Sequence, residues 1–218
     1  SKNRSSATVY EVKRLLGRKF KDIQKELQHS RWSYEVREGE SGNAEINLLI
    51  GPPNKCISRI ITPEQVSADI LSYIREFALK YLDTNDIESC VITCPVQFST
   101  EQRRATLSAG YLAGFTNVQL VAEPTAAAIA FAEKFDRTAQ GERYYCVYDF
   151  GGGTFDASIV HRNGNSYRVI NTAGDAFLGG KDIDVAIMED ITKRIKSRNL
   201  KLNPRRMLDF KIACKEAK

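Results

Sequence analysis

The chain has 218 residues, of which 42% are hydrophobic and 27% charged, with a formal net charge of +5. This balance excludes disordered and collagen-like classes, and the length suits one large domain or two small lobes. The longest purely apolar run, Ala126–Ala132, is far short of the roughly 20 residues a bilayer span needs, so no membrane association is expected. The basic excess is local: residues 193–218 hold ten basic side chains against two acidic ones, a net +8 that leaves −3 on the rest. Those charges alternate with apolar positions and lack interleaved aromatics, so a solvated helix face is expected rather than a nucleic-acid surface. Five cysteines (Cys56, Cys90, Cys94, Cys146 and Cys214) show no C-x-x-C pair or zinc spacing, and the only histidines are His29 and His161. Buried thiols packed as small hydrophobes in a reducing compartment, the cytoplasm first, are the expectation. The chain opens on Ser1 without an apolar leader, and its first methionine is Met188. It is therefore expected to be part of a longer protein.

In chain order, Thr8 and Glu11 have the spacing of a capping box, and Val12, Leu15, Leu16 and Phe20 follow at helical intervals. A second short helical piece is expected to run to about Leu27. Strands are predicted at 32–36, 45–50 and 56–61, separated by the turns Glu40-Ser41-Gly42-Asn43 and Gly51-Pro52-Pro53-Asn54. This spacing suggests an antiparallel meander. Thr62-Pro63-Glu64-Gln65 then opens a long helix whose Val66, Ile70, Ile74, Phe77 and Tyr81 line one apolar face. A strand at 90–94, a helix capped by Ser99 and Gln102 and stopping at Gly114, a strand at 118–122 and a helix from Glu123-Pro124 form a parallel α/β series. Strands follow at 144–149, 155–160 and 167–171, the last two joined at Asn163-Gly164, then helices over 182–197 and after Asn203-Pro204. The change of grammar divides the chain into 1–89, 90–140 and 141–218.

Residues 149–156 read D-F-G-G-G-T-F-D. Three glycines between two strands can adopt positive φ and let phosphate oxygens approach backbone N–H groups. Asp149 beside such a turn can hold Mg²⁺ through its water shell. A flexible hairpin is the plain alternative, although Asn163-Gly164 shows that the chain makes hairpins with two residues. Gly179-Gly180 before a helix offers anion-binding donors, but such pairs are common. Glu123 alone would pass as a carboxylate complementing a helix dipole, and Lys13 as an exposed lysine.

Several segments together resemble one family: K-R-L-L-G-R at 13–18, V-I-T-C-P-x-x-F at 91–98, Q-R-R-A-T at 102–106 and A-G-Y-L-A-G-F at 109–115. They continue with E-P-T-A-A-A-I-A at 123–130, D-F-G-G-G-T-F-D at 149–156, T-A-G-D-x-x-L-G-G at 172–180 and A-C-K-E-A-K at 213–218. In this order they resemble the nucleotide-binding domain of the heat shock protein 70 (DnaK-like) chaperones along essentially the whole chain. The resemblance implies an α/β, actin-like ATPase (ribonuclease H-like) fold of two lobes around a nucleotide cleft. Lys13 then matches a lysine reaching the γ-phosphate and the attacking water. Glu123 and Asp149 match carboxylates ordering magnesium-bound waters, with Thr154 and Asp156 following in the same loop. Gly151, Gly152 and Gly153 supply phosphate donors, Gly179 and Gly180 lie near ribose and phosphates, and Lys215 and Lys218 fall at the adenosine. Pro95 and Arg103 match a proline switch and arginine relay. ATP or ADP with Mg²⁺, a J-domain co-chaperone, a nucleotide exchange factor and unfolded polypeptide clients are the implied ligands and partners.

Three positions depart from the resemblance. Lys181 and Lys215 stand where glutamate is usual, and Gln97 where tyrosine is usual, so weakened or altered nucleotide binding is expected. Nothing like the family's first phosphate loop precedes Lys13, so these 218 residues alone are expected not to hydrolyse ATP. The alternative is a divergent relative acting as an exchange factor or co-chaperone with little turnover. An actin-like or sugar-kinase relative would share the glycine turn without Q-R-R-A-T.

Overall fold

In the computed structural model, which describes residues 8–24, 27, 32, 34–51, 55–137, 141–197 and 213, the chain divides into two units, Ser1–Ala126 and Ala127–Lys218. The first unit begins with an antiparallel meander of β1 (Glu35–Glu38), β2 (Ala44–Ile50) and β3 (Ile57–Ile61). Alternation in β2 sends Ala44, Ile46 and Leu48 inward, as a period of two on a half-buried strand requires. The turn before it closes through Gly42 at φ 73°, whose N–H donates to the Gly39 carbonyl at 2.8 Å. The first strand starts later than predicted, at Glu35. Trp32 instead stacks on Tyr34, and the Tyr34 hydroxyl donates to the Tyr10 carbonyl at 2.6 Å.

The helix predicted from Thr8 does not form. Val12–Arg14 and Phe20–Ile23 are single turns of 3-10 helix. Glu11 at φ 59° and Gly17 at φ 65° both lie in the left-handed region, which no continuing right-handed helix can accommodate. Glu11 does not close a capping box. Its carboxylate accepts from Trp32 Nε1–H at 3.1 Å and lies 3.5 Å from Arg14 Nη1. The apolar residues that mimic helical spacing wrap the meander, with Leu15 and Ile23 wholly buried among Tyr34, Ala44, Ile46 and Leu48. Burial of these side chains outweighs the weak local preference for helix.

Helix α1 (Pro63–Leu82) opens with the predicted capping box: Gln65 N–H donates to Thr62 Oγ1 at 3.2 Å, and Thr62 N–H to Gln65 Oε1 at 2.9 Å. Its buried face is not the predicted one. Val66 packs on the meander, but Ile70, Ile74, Phe77 and Tyr81 are 52–80% exposed. Ala68 and Leu71 instead pack with Ala113, Phe115 and Val118, and the Arg75 guanidinium lies 5.8 Å from the Phe115 ring centroid. Next comes the parallel unit: β4 (Ser89–Cys94), α2 (Thr100–Leu112) and β5 (Asn117–Ala122), with Cys94 opposite Ala122. Ser99 and Gln102 cap α2 reciprocally. Helix α3 (Glu123–Phe135) starts directly on the end of β5, and the boundary between the units falls within it.

The second unit carries an antiparallel sheet of β6 (Glu142–Phe150), β7 (Phe155–Asn163) and β8 (Ser166–Asp175), followed by α4 (Gly180–Ser197). The predicted hairpin forms one residue later than expected: Asn163 pairs with Ser166, and the turn is Gly164-Asn165, with Gly164 at φ 58°. The end of α3 is fastened to this sheet: Tyr145 OH donates to Asp136 Oδ2 at 2.7 Å and Arg162 Nη1 to the Asp136 carbonyl at 3.0 Å. Val160 is fully buried in β7, and the buried Ser158 hydroxyl pairs with Thr172 Oγ1 at 2.8 Å. The arrangement is mixed α/β, as expected. The helix expected after Asn203-Pro204, the turn at 52–54, His29, Cys214, Lys215 and Lys218 lie outside the described residues.

Candidate functional site

In the second unit the glycine run forms the end of the β6–β7 pair. Phe150 and Phe155 close the ladder, and Gly151 N–H donates to the Thr154 carbonyl at 3.0 Å. Gly151 and Gly152 do not take the positive φ expected of them; their lack of a Cβ is what the fold uses. Gly179 approaches so closely that a Cβ on it would lie 2.5 Å from Gly153 N and 2.7 Å from the Gly152 carbonyl carbon. Asp149 and Asp156 are partners in register, so their side chains leave the same face of the sheet. Gly174 lies opposite Asp156 on β8, and a Cβ there would come within 2.7 Å of Asp156 Oδ1. Two like charges directly opposite destabilise a sheet, with Cβ atoms roughly 4.5–5.5 Å apart.

Gly179 and Gly180 lie beside this turn, but not with unengaged helix donors. The Gly180 N–H donates to the Gly151 carbonyl at 2.9 Å and the Lys181 N–H to the Gly152 carbonyl at 3.0 Å. The Gly179 N–H donates to Asp182 Oδ2 at 2.8 Å. The first amides of α4 therefore hold the turn, which is a different task from the anion binding that an isolated Gly pair suggests.

In the first unit Lys13 and Glu123, 110 positions apart in sequence, meet as an ion pair at 2.7 Å. Lys13 projects from the first 3-10 turn, and Glu123 opens α3, where the helix dipole favours a carboxylate. Within reach of both charges, Cys94 ends β4 and is 1% exposed. Arg103 of α2 spans the connection that carries Pro95. Its Nη1 donates to Cys94 Sγ at 3.2 Å, its Nη2 to the Val96 carbonyl at 2.9 Å and to the Pro95 carbonyl at 3.4 Å, and its Nε to the Phe98 carbonyl at 3.1 Å. One guanidinium thus collects four acceptors from five residues of loop, using its fixed fork of donors.

Burial pushes the Cys94 thiol up. The Arg103 charge opposes this, the Glu123 charge adds to it, and Lys13 opposes it. A raised pKa means less thiolate at neutral pH, and thiolate is the reactive form. Cys56 and Cys146 are exposed, contrary to the expectation of buried thiols, and neither they nor Cys90 and Cys94 form a disulfide. Iodoacetamide at neutral pH should therefore modify Cys56 and Cys146 well before Cys94, as peptide mass mapping over a time course will read. Early labelling of Cys94 would show that its strand end opens. His161 stacks on Tyr144 and sits 3.5 Å from Glu142 Oε2.

The structure thus gathers Asp149, Gly151, Gly152, Gly153, Thr154, Asp156, Gly179 and Gly180 in one unit, and Lys13, Pro95, Arg103 and Glu123 in the other. Sequence reasoning passed over Gly17, Cys94 as an acceptor, and Asp182. Only Asp182, three residues after a glycine at a helix start, left a readable signal. Among the described residues no three His, Cys, Asp or Glu side chains converge as a metal cluster, and no helix is long and apolar enough to cross a membrane.

The family model for "Hsp70 protein" matches residues 2–218. The chain belongs to the Hsp70 family. A "Heat shock cognate HSP70 protein" of Trypanosoma brucei brucei is 37% identical over 98% of this chain and 31% of its own length. A "Heat shock 70 kDa protein" of Neurospora crassa is 36% identical over 97% of the chain and 32% of its own length. The human "Putative heat shock 70 kDa protein 7" is 35% identical, with 56% of its length covered. This Hsp70-family chain therefore spans about a third of the first two relatives.

Proposed function

We propose that this Hsp70-family chain is one part of the ATP-binding and hydrolysing domain of a molecular chaperone, with the two-lobed actin-like fold of that family, and that it hydrolyses no ATP by itself. The observation that carries the proposal is the glycine turn 151–153, flanked by Asp149 and Asp156 in register and clamped by Gly179–Lys181. Its backbone amides bind phosphate oxygens, except that of Gly151, which donates to the Thr154 carbonyl, and Thr154 follows them into β7. Asp149 and Asp156, which leave the same face of the sheet, would offer Mg²⁺ the oxygen donors a hard cation takes; when bound it would neutralise phosphate charge. By the family resemblance, Glu123 would order magnesium-bound waters through hydrogen bonds. Lys13 supplies a positive charge to the terminal phosphate and to the attacking water, and Glu123 holds its amine in place. Rate enhancement comes from positioning and electrostatics, without a covalent intermediate.

Arg103 ties Pro95 to the first turn of α2, so a displacement at Pro95 is carried into that helix. This is a route from nucleotide state to a substrate-binding domain, and through it to unfolded clients, a J-domain co-chaperone and an exchange factor. The free thiols support a reducing, cytoplasmic setting. The departures at Lys181 and Gln97 leave room for nucleotide binding weaker than the family norm.

Calorimetric titration of MgADP into the protein tests the proposal. Saturable binding is expected, and Asp149→Ala should weaken it about 10- to 100-fold, the value of a lost charged partner. Absence of any saturable MgADP binding would overturn the reading.

A further inference from the structure

We infer that Asp182 is a positioning residue that aims the amides of the phosphate turn, an inference that rests on the nucleotide-binding reading above. Gly179 precedes the first residue of α4 and Asp182 is its third. A capping residue normally satisfies helix donors with its own side chain, but glycine has none. The side-chain half of this capping pair is the return bond, from Gly179 N–H to Asp182 Oδ2 at 2.8 Å. That bond fixes the Gly179 peptide where its Cα can lie against Gly152 and Gly153, an approach with no room for even one added carbon.

From that anchored start, the next two amides reach the turn: Gly180 N–H to the Gly151 carbonyl and Lys181 N–H to the Gly152 carbonyl. A peptide unit is planar and trans, so its carbonyl and the following N–H point in opposite directions. Holding the Gly151 carbonyl therefore sets the direction of the Gly152 N–H, and holding the Gly152 carbonyl sets that of Gly153. The Gly152 donor, in a turn made of three glycines that would otherwise sample many orientations, is aimed in advance from the helix side. Donors preorganised in this way need no reordering when an anion arrives. The acidic charge of Asp182 also offsets the positive end of α4, so the helix itself does not compete for phosphate.

The test compares Asp182→Ala, which removes the acceptor, with Asp182→Asn, which keeps an amide oxygen in its place. Amide hydrogen exchange of the nucleotide-free protein should show Gly180 and Lys181 exchanging about 5- to 10-fold faster in Asp182→Ala, the size of a lost cap, with the Asn variant restoring most of the protection. In parallel, Asp182→Ala should lower MgADP affinity about 10-fold while leaving adenosine, which has no phosphates, bound as before. Unchanged exchange at Gly180 and Lys181 overturns the inference. So does an equal loss for adenosine and MgADP, because a merely structural role would weaken both. If the wild-type protein binds no nucleotide, the proposed function falls, and the exchange measurement still decides whether Asp182 holds the turn. Should the Ala variant fail to fold, the milder Asp182→Asn and Asp182→Ser pair gives the same comparison.

Discussion

Replacing Lys13 with methionine is expected to slow single-turnover ATP cleavage by the full-length protein about 100- to 1,000-fold, the usual effect of removing one preorganised electrostatic contact to a transition state. Its melting temperature should hardly move. The Lys13 side chain is 45% exposed and its pairing with Glu123 is reached from solvent, and such surface ion pairs contribute only about 0.2–1 kcal/mol. At the usual scaling for a chain of this size, that is no more than about 4 °C. Stability and activity therefore separate at this residue, which distinguishes a working charge from a structural one. Glu123→Gln should act in the same direction, and the double variant should lose less than the product of the two single losses, since the pair acts as a unit. Cleavage by Lys13→Met at the wild-type rate would remove Lys13 from the mechanism. A melting temperature lowered by tens of degrees would assign it to the fold instead.

The second large effect is purely structural. Gly17→Ala is expected to destabilise the first unit by about 3 kcal/mol, combining a left-handed backbone with forced overpacking. Gly17 sits at φ 65°, and a Cβ on it would meet Gln102 Cα at 2.6 Å and the Glu101 carbonyl oxygen at 2.7 Å. Those neighbours are the backbone of the first turn of α2, capped at both partners by Ser99 and Gln102, so they cannot yield as a flexible side chain would. Buried Leu15 and Leu16 immediately precede Gly17, so the segment cannot swing outward without exposing apolar surface. Denaturant or thermal unfolding should show a midpoint lowered by about 6–12 °C. An unchanged midpoint would mean that the loop slides past α2 without cost. Because Lys13 lies one turn upstream of this lock, nucleotide cleavage should fall with the stability in this variant, in contrast to Lys13→Met.

Elements framed by their own chemistry are legible in the sequence. Thr62 with Gln65 and Ser99 with Gln102 each name a helix start within four residues, and both boxes form. Gly42 and Gly164 supply turns that need φ above zero. The glycine run at 151–153 is legible as a turn between two strands, and β6 and β7 do meet there. By contrast, Thr8 with Glu11 has the same spacing as a true capping box and makes none. The periodic stripe of α1 likewise names a helix without naming its buried face. A capping pair or an apolar period states what a segment can do locally; long-range burial of Leu15 and Ile23 decides whether it does so.

Family, the order of strands and helices from β1 onward, and the residue types suited to phosphate chemistry follow from the amino-acid order, because they depend on local motifs whose atoms are neighbours along the chain. Folding in three dimensions was needed to bring Lys13 to Glu123, to let Arg103 gather Cys94 with the Pro95 loop, and to set the first amides of α4 on the glycine turn. Each of those joins groups separated in sequence through distances of about 3 Å. Hydrogen bonds and ion pairs fall off within an ångström or two of their optimum, while sequence spacing constrains such separations hardly at all. The pairings are consequences of tertiary packing within each unit, and they exist only once that packing is complete.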